Sequence, residues 1–200
     1  MDRKTFEQKM EEQFPDSLEG VREKYGKFVE QKHLRQLINL ARDEKKKIIT
    51  TNGTFDLLHE GHLRGISEAK KSPEKDGVPE ENTILIVFVN TDDSVEKYKK
   101  IKPVHSENER LKAVAELPFV DFVCLMKDTT PNSLLEITRS NYHVKGSEYD
   151  SKDEDLKIPG PTEQEIVEKY GGKMIFVERP ADSISSGKIR RKRKYENIDR

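Results

Sequence analysis

The sequence predicts an open α/β fold built on a five-stranded parallel sheet with a helical extension at its N-terminus, and three observations predict it. Thr83-Ile84-Leu85-Ile86-Val87-Phe88-Val89 is a continuous, largely β-branched run, as expected of a parallel strand buried on both faces. Four further short apolar runs are spaced along the chain with helix-period segments between them. Alternation of this kind is the signature of a parallel sheet whose crossovers are helices.

The elements follow in order. Residues 1–46 are polar and helix-prone; Leu34, Leu37, Ile38 and Ala41 recur at helical spacing and predict an amphipathic helix over about 29–44. Pro15 and Gly20 punctuate the first 28 residues, which suit an arm, a dimer contact, cover for a sheet edge or partial disorder. Lys47–Thr51 is the first strand, and Leu63, Ile66 and Ala69 mark the helix that runs to Lys71. Ser72–Asn82 is a polar loop containing Pro73, Gly77 and Pro79. After the strand at Thr83–Val89 come a helix at Glu107–Glu116, a strand at Phe119–Leu125, a helix at Pro131–Ser140 and a short strand at Tyr142–Lys145. Ser147–Pro161 reads as a polar loop, Thr162–Tyr170 as a helix ended by Gly171-Gly172, Lys173–Val177 as the fifth strand, and Ser185 onward as a last helix with a basic tail. The organisation is an extension over 1–46, a core over 47–190 and a tail over 191–200.

Composition narrows the function. Of 200 residues, 38% are charged and only 32% hydrophobic, so the core is compact beneath a charged shell. A net charge of −1 favours neither nucleic acid nor an acidic partner. The run Arg190-Arg191-Lys192-Arg193-Lys194 resembles a localisation signal or phosphate-backbone patch, but a solvated helix end, helped by positive charge near its C-terminus, is the favoured reading. The single cysteine, Cys124, sits in an apolar strand and reads as a buried, inert thiol in a reducing compartment. No apolar run is long enough to span a membrane, and the N-terminus lacks the apolar centre of a signal peptide, so a cytoplasmic location is expected. Asn52-Gly53-Thr54 fits the glycosylation triplet by accident on that reading.

The stretch Thr51-Asn52-Gly53-Thr54-Phe55-Asp56-Leu57-Leu58-His59-Glu60-Gly61-His62-Leu63 carries the chemistry. It follows the first strand and opens the first core helix, the carboxyl end of the sheet where open α/β proteins bind ligands. Gly53 permits close backbone approach, Gly61 keeps a side chain off the helix start, and free N–H groups there attract anions. His59 and His62, three apart, can face one side and donate to phosphate oxygens. No further Cys or His stands at a ligand-like spacing, so a zinc site is not expected. Asp56 suits a structural bond to the loop backbone.

This stretch resembles the His-x-Gly-His signature of the cytidylyltransferase-like nucleotidyltransferases, and Ile184-Ser185-Ser186-Gly187-Lys188-Ile189 resembles that superfamily's second motif, a Ser/Thr-rich turn before the last helix. The resemblance covers about residues 47–190 and implies a Rossmann-like, doubly wound sheet. Val89-Asn90-Thr91-Asp92-Asp93-Ser94-Val95, Lys102-Pro103-Val104, Glu109-Arg110, Val120-Asp121, Asp128-Thr129-Thr130-Pro131, His143-Val144-Lys145-Gly146 and Tyr170-Gly171-Gly172 make it most similar to the heptose 1-phosphate adenylyltransferase domain of the ADP-heptose synthases. Glycerol-3-phosphate cytidylyltransferase shares the same core. Thr54 stands where the heptose enzymes usually have Cys, and Thr is common among the cytidylyl relatives; Gly187 replaces a hydroxyl residue, and Ser147-Glu148 replaces Gly-Asp.

The resemblance implies attack by a phosphate monoester on the α-phosphorus of ATP or CTP with release of pyrophosphate, and Mg2+ carried mainly by the nucleotide phosphates. Heptose 1-phosphate is the first acceptor expected, with glycerol 3-phosphate or another polyol phosphate as the alternative. A non-catalytic nucleotide-binding regulator is the reading of another class, favoured by Gly187. His59, His62, Lys99, Arg110 and Ser185 are the expected catalytic residues, with Lys100 and Lys102 rivals to Lys99 and an exposed helix arginine the other reading of Arg110. Thr54, Phe55, Gly61, Lys145, Gly146, Ser147 and Ser186 are expected to bind nucleotide, Ser185 and Ser186 doubling as helix caps. Asn90 and Asp92 are expected at the acceptor, an ordinary turn being the alternative for Asp92.

Overall fold

The computed structural model describes residues 14–147 and 161–178. The helix expected from Ser185, the second motif with Ser185, Ser186 and Gly187, the basic run after it and most of the Ser147–Pro161 loop lie outside the described residues.

Five strands form one parallel sheet: β1 (Lys47–Gly53), β2 (Thr83–Asn90), β3 (Phe122–Met126), β4 (Tyr142–Gly146) and β5 (Lys173–Val177), in the spatial order β3-β2-β1-β4-β5. Helices α1 (Leu18–Tyr25), α2 (Leu34–Asp43), α3 (Glu60–Lys71), α4 (Asp92–Lys99), α5 (Glu107–Ala115), α6 (Asn132–Thr138) and α7 (Glu163–Lys169) connect them. The fold is α/β and Rossmann-like, as the alternation of runs implies.

Successive side chains of a strand point to opposite faces, and β2 shows why its sequence is apolar throughout. Ile84, Ile86 and Phe88 join Leu34, Leu37, Ile38, Leu134, Leu135, Ile166 and Val167 in one core. Leu85, Val87 and Val89 join Ile49, Ile66, Ala69, Val114 and Val144 in the other. All eight residues of β2 are buried. Helices α2, α6 and α7 thus cover one face and α3 and α5 the other.

The N-terminal extension covers a sheet edge. Residues 27–29 run parallel to the outer side of β3: Val123 N donates to Lys27 O at 2.8 Å, and Val29 N to Val123 O at 2.9 Å. Gln31 Nε2 continues the contact to Leu125 O at 2.8 Å. These bonds fill backbone positions that an exposed edge would offer to another chain. The helix expected over about 29–44 is narrower, a 3-10 turn at Gln31–His33 leading into α2. Helix α4 was unforeseen: its Thr91 cap accepts from Ser94 N, inside a stretch too polar to show a period.

Candidate functional site

Sheet order places the site. From β1 the chain steps to β2 and β3 on one side, then crosses to β4 and β5 on the other. The crevice outside the carboxyl ends of β1 and β4 is therefore the topological switch point. Thr51 pairs with Val144 across these strands, so Asn52 and Gly53 of β1 end beside Lys145 and Gly146 of β4.

The β1–α3 turn forms one wall. Phe55 adopts a left-handed backbone (φ 52°) and is 6% exposed, a conformation bulky residues adopt only when packing holds them there. Its ring explains Gly53: a Cβ at that position would lie 2.9 Å from Phe55 Cζ. Gly53 thus makes room for a ring, where the sequence suggests room for a ligand. The ring meets His62 edge-on at 5.5 Å. His59 is the extended residue before α3, and His62 N bonds to His59 O at 2.9 Å. That first turn stacks the two imidazoles with centroids 3.9 Å apart. Gly61 is buried between them in sequence. The structure thus brings His59, His62, Phe55 and Gly61 together, as their spacing implies. Asp56 Oδ1 accepts from Val104 N at 2.7 Å and His105 N at 3.0 Å, which ties this turn to the loop before α5.

Arg110 is not an exposed helix arginine: it is 1% exposed. Its guanidinium donates to Thr54 O, to His105 O at 3.1 Å and to Asp92 Oδ1 at 2.7 Å. A buried fork of donors with these partners braces the β1–α3 turn against the β2–α4 turn. The Ser106–Glu109 capping box starts α5 one turn earlier and aims Arg110 inward. Asp92 is correspondingly tied to Arg110, and its N–H donates to Glu107 Oε2. Asn90 is 9% exposed, with its amide nitrogen bonded to Ser94 Oγ at 3.0 Å. Of the lysines weighed for phosphate, Lys99 is the exposed last residue of α4, Lys100 caps that helix in the left-handed region and Lys102 is exposed.

On the other wall, Lys145 Nζ donates to Asn52 Oδ1 at 3.0 Å and to Glu163 at 2.9 Å. Gly146 and Ser147 follow it, both partly exposed. Behind Lys145, His143 is fully buried, with Nδ1 2.8 Å from Thr50 Oγ1 and Nε2 3.2 Å from Glu163 Oε2. Burial lowers the His143 pKa, so the ring is neutral. Burial alone would raise the Glu163 carboxyl; the hydrogen bond from His143 and the charge of Lys145 outweigh it and hold Glu163 at about 2. Sequence reading missed Glu163, His143 and Asn52 as parts of the site. A histidine inside an apolar strand was the available signal, because a buried imidazole requires partners.

The donor set suits a nucleoside triphosphate: imidazoles and a helix start for anionic oxygens, and an amide and an ammonium opposite. No group of three or more His, Cys, Asp or Glu among the described residues could hold a metal ion. No described helix is long and apolar enough to cross a membrane.

Comparison with known proteins agrees with this geometry. Residues 50–192 match the model of the cytidylyltransferase-like family. The chain is 36% identical over 122 residues to the bifunctional protein HldE of Campylobacter jejuni subsp. doylei, covering 60% of this chain and 24% of that one. It is 36% identical over 162 residues to the HldE protein of Hahella chejuensis, covering 79% of this chain and 31% of the relative. The chain thus spans between about a quarter and a third of the length of these curated relatives. The crystal structure of a lipopolysaccharide core biosynthesis protein from Thermoplasma volcanium shares the fold, with a TM-score of 0.51 and 23% identity over 67% of this chain and 98% of that one. The match over 50–192, the sheet order and the stacked histidines at the switch point agree: the chain belongs to the cytidylyltransferase-like family and is a nucleotidyltransferase.

Proposed function

We propose that this nucleotidyltransferase transfers the adenylyl group of ATP to a sugar phosphate, heptose 1-phosphate first among the acceptors, and releases pyrophosphate. The observation that carries the reading is the similarity to the HldE proteins at 31–36% identity, added to the heptose-type motifs along the same segment. An acceptor phosphate oxygen attacks the α-phosphorus in line as its bond to the pyrophosphate oxygen breaks. The nucleophile is already an anion near neutral pH, so the protein's work is positioning and charge stabilisation. His59 and His62 donate to the phosphates and to the charge developing on the transferred group. Thr54, Phe55 and Gly61 shape the nucleotide site. Lys145, Gly146 and Ser147 border its far wall, and Lys99 lies on the α4 side. Ser185 and Ser186 supply further donors from the second motif. Arg110 acts through the turn that it braces, and Asn90 and Asp92 form the acceptor side. Mg2+ supplies charge neutralisation on the triphosphate. We place the reaction in the cytoplasm, with a homodimer as the assembly to test.

Thr54 favours a second reading, transfer from CTP to glycerol 3-phosphate or another polyol phosphate. One assay separates the two: pyrophosphate release with Mg2+, using ATP or CTP against heptose 1-phosphate, other sugar 1-phosphates and glycerol 3-phosphate. The proposal expects release with ATP and heptose 1-phosphate that disappears in His62→Ala. Release with CTP and a polyol phosphate establishes the second reading instead. Nucleotide binding with no release across the panel, and none after Gly187→Thr, supports a binding-only protein.

A further inference from the structure

Thr50, His143 and Glu163 have the outline of a hydroxyl–imidazole–carboxylate triad, with contacts of 2.8 and 3.2 Å. They form no nucleophilic centre, because Thr50 and His143 are each 0% exposed and no substrate can reach the hydroxyl. Their chemistry runs outward. The Glu163 carboxylate accepts at Oε2, so His143 carries a proton on Nε2, and its Nδ1 lies 2.8 Å from Thr50 Oγ1. Glu163 then meets Lys145 with both oxygens, at 3.0 Å from Oε1 and 2.9 Å from Oε2. A second anchor fixes the carboxylate: Glu163 is the first residue of α7, whose start is set by the Thr162–Glu165 capping box. Lys145 Nζ is held from the other side by Asn52 Oδ1 at 3.0 Å. The ammonium therefore stands at the switch point in a fixed place, with its charge balanced by a partly buried carboxylate.

From this geometry we infer that Glu163, oriented by His143, is a positioning residue that neutralises Lys145 and makes it a fixed hydrogen-bond donor to an uncharged part of the nucleotide, its base or ribose, rather than a phosphate-binding cation. The inference rests on the reading of Lys145 as a nucleotide-site residue. The crevice thereby gains polarity from end to end: phosphates are drawn to the α3 start with His59 and His62, and the charge-balanced β4 side receives the nucleoside. A free lysine there would attract the triphosphate to the wrong wall, because ammonium–phosphate attraction in a partly buried site is not fully screened.

The test is calorimetric titration of the full chain with adenosine, AMP and ATP, the matching cytidine series and inorganic pyrophosphate. If neither triphosphate binds the wild-type chain, the nucleotide-site reading fails, and this inference with it, before any variant is made. Otherwise Lys145→Met is expected to weaken nucleoside, monophosphate and triphosphate by the same factor, about tenfold for one charge-assisted hydrogen bond. A loss that grows with phosphate number and spares the nucleoside overturns the inference. Glu163→Gln is expected to bind pyrophosphate about tenfold more tightly at low salt, since its lysine is no longer neutralised. A merely structural role for Glu163 predicts no such gain, and unchanged pyrophosphate affinity in a folded Glu163→Gln chain overturns the inference. Should that variant not fold, the Lys145→Met series decides alone.

Discussion

Replacing Arg110 with methionine tests the brace between the β1–α3 and β2–α4 turns. Methionine keeps the volume of the stem and removes the guanidinium. Three hydrogen bonds go with it, to Thr54 O, His105 O and Asp92 Oδ1. Deleting one partner of a buried ion pair costs about 3–5 kcal/mol. The Asp92 side chain is 31% exposed and can rehydrate, which sets the cost at the lower end, about 3 kcal/mol. For a chain of this size each kcal/mol moves the melting temperature by about 2–4 °C, so a fall of about 6–12 °C is expected. Arg110→Lys retains one charge but not the planar fork and should lose about half as much. Thermal unfolding followed by circular dichroism at equal protein concentration reads the effect, and a nucleotide titration below the transition reads the turn. A Met variant that melts within about 2 °C of wild type, yet no longer binds nucleotide, would refute the brace and make Arg110 a ligand-contacting residue.

The remaining predictions concern single observations. Gly53→Ala drives a Cβ to 2.9 Å from the Phe55 ring; the ring must move off His62, costing about 1–3 kcal/mol and weakening nucleotide binding, both read by melting with and without ATP. Both His143 and Glu163 have native pKa values below their unfolded values of 6.5 and 4.5, so stability is present above those values and lost as pH falls. Loss should begin near pH 6.5 with His143 and continue from 4.5 toward about 2 with Glu163, whose share is about 3 kcal/mol; denaturant midpoints between pH 7 and 3 check it, and His143→Gln should remove the upper part of the slope. Nitrogen shifts should show a neutral His143 ring protonated on Nε2 at pH 7, about half a unit above its unfolded value, and an imidazolium there would contradict the network. Burial pushes the Cys124 thiol up to about 12, so a disulfide reagent near pH 8 should leave the native chain unmodified and label it in denaturant; rapid native labelling would contradict the packed strand.

By itself the sequence determined the number and type of core strands, because an apolar β-branched run is a local signal. Thr83–Val89 is apolar on both faces because two layers of helices cover it, and its buried extent differs by one residue from the run read off the chain. The histidine pair was legible from its three-residue spacing at a helix start, while the stacking of the two rings at 3.9 Å, with His59 in extended backbone, was decided by the folded turn. Edges of elements were less legible, since α4 rests on a cap at Thr91 and a few buried side chains rather than on a period. Only the tertiary structure decided what the isolated polar residues do. Arg110 meets Thr54 across 56 positions, and Lys145 meets Asn52 across 93. No local pattern specifies partners so far apart, and a buried charge goes where the fold supplies acceptors. The roles of Arg110 and Glu163 came from that demand. Each is set by neighbours brought close by the order β3-β2-β1-β4-β5, which places β4 beside β1 and creates the crevice between them.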